Sequence, residues 1–106
     1  MAATPTAEDF RQQLGTSFGV RLETPRPIEL ELIEVRDYKP GANEPGGMER
    51  FSLFFRGPAD IMLNQGTFTL EHPSMGEVVL FMVPIAQDPA GFRYEVVFNY
   101  FRDGGE

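Results

Sequence analysis

Apolar residues in this chain recur at every second position in five separate stretches, and that period admits pleated strands and little else. Ile28, Leu30 and Leu32 alternate with Glu29 and Glu31, the pattern of a strand with one face in a core and the other in water. Phe18, Val20 and Leu22 do the same, as do Phe51, Leu53 and Phe55, then Phe68 and Leu70. Phe92, Tyr94, Val96, Phe98 and Tyr100 mark the longest run. The stretch from Val78 to Pro84 is apolar on both faces. Its length, its β-branched content and the flanking Gly76 and Pro84 favour a buried strand over a helix.

The breaks between these runs fit the same reading. Thr24-Pro25-Arg26-Pro27 interrupts the ladder because proline lacks a donor. The alternation slips at Leu32-Ile33, which predicts a β-bulge there, since a one-residue slip otherwise turns every side chain to the wrong face. Lys39 to Glu49, with two prolines and three glycines, reads as an exposed loop, and the third strand starts at Arg50. Gly57-Pro58-Ala59-Asp60 turns the chain, and Ile61 to Gln65 reads as a single helical turn packed by Ile61 and Leu63. His72 to Gly76 and Gln87 to Gly91 are the remaining turns. Before the first strand, Thr6 followed by Glu8 and Asp9 is a helix start, with Phe10 and Leu14 docking on the sheet and Gly15 as the stop. Residues 1–5 and 103–106 read as frayed termini.

A faint internal echo runs through this pattern. Leu22–Val35 and Leu70–Val83 line up position for position, with identities at Leu22/Leu70, Glu23/Glu71, Pro25/Pro73, Glu29/Glu77, Leu32/Leu80 and Val35/Val83. Arg50–Phe55 matches Arg93–Phe98 in the same order. The echo suggests a duplicated three-stranded unit. Six strands on short connections read as one mainly all-β domain over residues 1–106. The expected form is a small six-stranded antiparallel barrel or roll with a short N-terminal helix, and a two-layer sandwich is the alternative. Ten Phe and three Tyr, with no Trp, suit that class.

Charge and cysteine content narrow the function. A net charge of −7, with eight arginines and Lys39 scattered singly among 16 acids, gives no basic patch for a nucleic-acid backbone or an anionic membrane. Cysteine is absent, so thiolate chemistry and Cys-ligated zinc are excluded. The N-terminus lacks a basic start and an apolar run of signal-peptide length, which makes cytoplasmic localisation the expectation.

No cofactor is expected, and no catalytic or metal-ligating residue is assigned. His72 is the one histidine, and Glu71 beside it points to the opposite face of a strand. We read it as a turn histidine without an orienting partner, so that its replacement leaves stability nearly unchanged. Glu23, Glu29, Glu31, Glu34 and Asp37 read as a solvated outer face. More informative is the surplus of apolar residues on second faces. Ile33, Phe54, Phe81 and Val97 are the candidate interface, chosen because Ile33/Phe81 and Phe54/Val97 are apolar together in the two echoing halves. A protein partner or a second copy of the chain would cover them. The alternative is a small-ligand-binding barrel or small enzyme with a polar pocket near Asp60, Asn64 and His72, although six strands leave little interior room.

The run Gly66-Thr67-Phe68-Thr69-Leu70-Glu71-His72-Pro73, with Gly76, Leu80-Phe81-Met82-Val83-Pro84 and Tyr94-Glu95-Val96-Val97-Phe98-Asn99, resembles an uncharacterised family of small bacterial all-β domains. The resemblance covers about residues 50–102. It implies a bacterial, non-catalytic part, accessory to a phage-tail-like structure, and it assigns no site residue. The expectation is a binding or assembly module.

Overall fold

The computed structural model describes residues 5–22, 27–38 and 48–101. One helix, α1 (Ala7–Arg11), precedes six strands: β1 (Ser17–Val20), β2 (Ile28–Asp37), β3 (Met48–Gly57), β4 (Gly66–His72), β5 (Gly76–Asp88) and β6 (Gly91–Phe101). Every pairing is antiparallel, and the strands close into a barrel in the order β1-β2-β3-β6-β5-β4. Closure joins the two edges that an open six-stranded sheet would leave free, although the β5–β6 ladder covers only Val83–Asp88 and Gly91–Glu95. Among the described residues no helix is long and apolar enough to cross a membrane. The proline-rich break at 24–26, most of the loop at 39–49 and nearly all of the two termini lie outside the described residues. Met48 and Glu49, read from sequence as loop, already belong to β3.

Alternation fills the interior as the sequence implies. Phe18, Leu30, Leu32, Phe51, Leu53, Phe55, Leu70 and Met82 are fully buried. The phase slip in β2 is a bulge: Leu32 faces Phe55, Glu34 faces Phe54, and Ile33 is the extra residue. Val35 is thereby returned to the core side opposite Leu53. A second bulge lies in β5, where Pro84 faces Tyr94 and Ala86 faces Arg93. The proline's missing donor interrupts this ladder without ending the strand, which continues to Asp88.

The two ends of the barrel are plugged differently. At the end holding His72, Gly76 and Asp37, α1 lays Phe10 against Phe51 and Phe98, with ring centroids 6.2 and 5.6 Å apart. Thr6 caps the helix, accepting from the Asp9 amide while the Asp9 carboxylate accepts from Thr6 N–H. Arg11 then pairs with Asp37. The helix is shorter than the sequence suggests, because Gly15, at φ +83°, turns the chain down so that its N–H reaches Leu32 O at 2.8 Å. Leu14 is left exposed instead of docked. At the other end, the β3–β4 connection drops Leu63 into the barrel mouth. The helical turn expected at Ile61–Gln65 does not form; the Leu63 amide donates instead to the buried Tyr94 hydroxyl at 2.8 Å.

Strand order is that of two three-stranded units packed side by side, yet the echo does not carry the register. Moved position for position, Phe18↔Leu30 becomes Gly66↔Val78, whereas Val78 pairs with Leu70. The bulge at Ile33 likewise has its echo at Phe81, while the second bulge falls at Ile85.

Candidate functional site

The residues of the alternative polar pocket do not come together. His72 ends β4 while Asn64 lies just before its start, so six extended residues, roughly 20 Å, separate them along the barrel. Asp60 is in the β3–β4 connection, at the far end from His72. The interior between them is filled by Phe18 and Phe55, whose rings meet edge to face at 5.4 Å.

His72 is a structural residue of a kind its sequence context conceals. It is 8% exposed and its ring lies 4.4 Å from that of Phe18. Nδ1 accepts from the Ser74 and Met75 amides at 3.0 and 3.4 Å, and Nε2 is 2.9 Å from Thr16 Oγ1. Thr16 Oγ1 donates its own hydrogen to Gln13 O at 2.6 Å, so it accepts from Nε2–H. This network assigns the neutral Nε2–H tautomer. The histidine thus joins the β4–β5 turn to the segment leaving α1, and the expectation of a partnerless turn residue is overturned. Thr16, 56 positions away, is the partner the sequence could not show. An open groove of about 420 Å³ borders the same turn, lined by Glu71, His72, Pro73, Gly76 and Glu77. Arg21 holds both carboxylates of the groove, donating to Glu71 at 2.6 Å and to Glu77.

Of the four interface candidates, one is removed from solvent and one is half-buried. Phe54 projects from the outer face of β3 but is only 5% exposed, because the Arg36 guanidinium lies 4.8 Å above its ring. The bulge places Glu34 beside Phe54, and Glu34 accepts from Arg36 Nε at 3.0 Å, which holds the cover in place. Ile33, the bulged residue, is half-buried. Phe81 and Val97 are 50% and 63% exposed, and Val79 joins them at 64%.

A polar cluster that sequence reasoning missed sits beside Phe54. Ser52, wholly buried, donates to Glu95 Oε2 at 2.8 Å and accepts from the Tyr38 hydroxyl at 3.0 Å. Ser–Glu adjacency of this kind is a component of nucleophile activation. Here the hydroxyl has no path to a substrate, so the cluster ties β2, β3 and β6 together on the outside of the barrel. The one sequence signal was a serine interrupting the apolar run of β3. Among the described residues, no three His, Asp or Glu side chains gather as a metal site.

No solved structure matches the chain. A family model described as a domain of unknown function, DUF6916, matches residues 5–98, from the residue before the Thr6 cap to the last inward phenylalanine of β6. The chain belongs to the DUF6916 family.

Proposed function

We propose that this domain is a non-catalytic protein-binding module that receives an extended segment of a partner along β5 and β6. The observation that carries the reading is the divergence of these two strands. Their ladder ends at Val83↔Glu95, although β5 begins at Gly76 and β6 runs to Phe101. Among the described residues, no pairing between them continues past that point. Unpaired strand edges are templates for an added strand, and these edges are flanked by the exposed side chains of Val79, Phe81 and Val97. Main-chain hydrogen bonds would supply affinity, and alternate apolar side chains of the partner would meet the three exposed ones. The chain's net charge of −7 disfavours a second copy and favours a segment carrying Lys or Arg beside its apolar positions. A filled interior argues against a ligand-carrying barrel. In a bacterium, the source implied by the resemblance to small bacterial domains, such a module would be an accessory subunit of a larger assembly.

Selection of random displayed peptides on the immobilised chain tests this. Enriched peptides should alternate apolar residues with basic ones, and their amide shift changes should map to β5 and β6. Phe81→Glu and Val97→Glu should abolish binding, since a charge desolvated without a counter-ion costs several kcal/mol. On a bare surface the same changes stay within about 0.5 kcal/mol of neutral, so circular dichroism should be unaltered. Peptides that bind both variants undiminished would refute the reading. So would a chain that light scattering finds dimeric through these residues, because the second copy would then occupy the edge.

A further inference from the structure

Two cross-strand pairs set like charges opposite each other: Glu71 and Glu77, which Arg21 bridges, and a pair of arginines that no carboxylate bridges among the described residues. Arg56 on β3 and Arg93 on β6 face each other directly in the ladder. Both project outward, since Phe55 and Tyr94 beside them are buried. Directly opposed side chains on one sheet face have Cβ atoms about 4.5–5.5 Å apart, and like charges so placed repel. The chain has 16 acids with which to relieve such a pair. Arg11, Arg21 and Arg36 each hold at least one carboxylate. Among the described residues Arg56 and Arg93 form no ion pair. The acid in the best position is Glu31, the ladder partner of Arg56 on β2, and it stays exposed. Glu95, two residues along from Arg93, is already engaged by Ser52.

A second observation points the same way. The Nε atoms of Arg56 and Arg93 are buried and have no hydrogen-bond acceptor. A buried N–H without an acceptor is costly, and each such donor in a folded protein calls for a water or an ion. Two arginines opposed across one ladder, with no ion-pair partner among the described residues, put two positive charges on one outer face. We propose that Arg56 and Arg93 form a clamp for an oxyanion, a phosphate or carboxylate group, on the outer face of β3 and β6. Bound there, the anion would relieve the repulsion between the two cations, and a small turn of each side chain would bring its buried Nε–H out to an anion oxygen. The clamp lies outside the β5–β6 edge described above and does not depend on it.

The test is a titration of the ¹⁵N-labelled full chain, observing the arginine Nε–Hε resonances. Inorganic phosphate and acetate are added in separate arms at constant ionic strength, with chloride as the control. The Arg56 and Arg93 resonances should shift and saturate while those of Arg21 do not follow. The tighter of the two arms identifies the anion class. Arg56→Gln and Arg93→Gln should each weaken binding about tenfold or more, and Glu31→Gln should tighten it. Arg56→Lys and Arg93→Lys keep the charge but lose the Nε donor and the fork; they should weaken binding too, and they carry the test if a Gln variant fails to fold. Shifts that chloride reproduces, or that do not saturate, would overturn the clamp. So would binding that the Lys variants leave unchanged, since that leaves only general charge attraction. Phe81→Glu and Val97→Glu should leave the titration as it was.

Discussion

Replacing His72 by phenylalanine separates what its ring packs against from what its nitrogens bond. The phenyl ring keeps an aromatic face on Phe18, 4.4 Å away in the parent, but removes the acceptor of the Ser74 and Met75 amides and the partner of Thr16. The Met75 bond at 3.4 Å is long and contributes little. The Ser74 amide, at 3.0 Å, loses its acceptor in a half-enclosed turn, and Thr16 Oγ1 loses the donor at the other nitrogen while keeping its own bond to Gln13 O. Each lost bond is worth about 0.5–1.5 kcal/mol net, with more where a donor is left unsatisfied, so His72→Phe should cost about 2 kcal/mol. For a domain near 100 residues that lowers Tm by roughly 10 °C. His72→Ala also empties the space beside Phe18 and should cost about 3–5 kcal/mol, in the range of buried aromatic truncations. Urea unfolding at neutral pH reads both values. Hydrogen exchange should show loss of protection at the Ser74 amide in both variants. A phenylalanine variant as stable as the parent would show that the hydrogen bonds contribute nothing, and an unperturbed alanine variant would refute the structural role altogether.

Tyr94→Phe should cost about 1–3 kcal/mol by stranding the Leu63 amide at the plugged barrel mouth. Burial pushes the Tyr94 hydroxyl above its ordinary pKa of 10.0, the Leu63 N–H opposing it only in part. Because the folded state holds this proton more tightly than the unfolded one, the stability it contributes is present below pH 10 and is lost as pH rises beyond it. Alkaline urea titrations should show that loss in the parent and less of it in Tyr94→Phe. Gly91 has φ +146°, and a Cβ there would overlap the Gly57 carbonyl oxygen, so Gly91→Ala should destabilise by several kcal/mol in thermal melts, far beyond the usual Gly→Ala range. Phe54→Ala should cost about 3–5 kcal/mol by the same melts, as a core truncation would. An effect under 0.5 kcal/mol would return Phe54 to the exposed surface.

Much of the barrel was legible in the sequence, because the information lay in neighbouring residues. A period of two sets which side chains share a face, and proline and glycine set where strands turn, whatever lies across the sheet. The alternation of Ile28–Leu32, the slip at Ile33 and the Thr6–Asp9 cap all follow from that. The closed ring was an expectation of the same kind, drawn from six short-linked strands and the need to protect edges. Tertiary structure alone decided what crosses between strands distant in the chain. His72 meets Thr16 over 56 positions, Ser52 meets Glu95 over 43, and Leu63 meets Tyr94 over 31. Outward direction could be read for Phe54 and Phe81 alike, but exposure could not. Phe54 is covered because a bulge on β2 sets Glu34 and Arg36 beside it, while Phe81 stands where the β5–β6 ladder has ended. Direction is a property of the local backbone, whereas burial depends on what the neighbouring strand brings, and that is fixed by register.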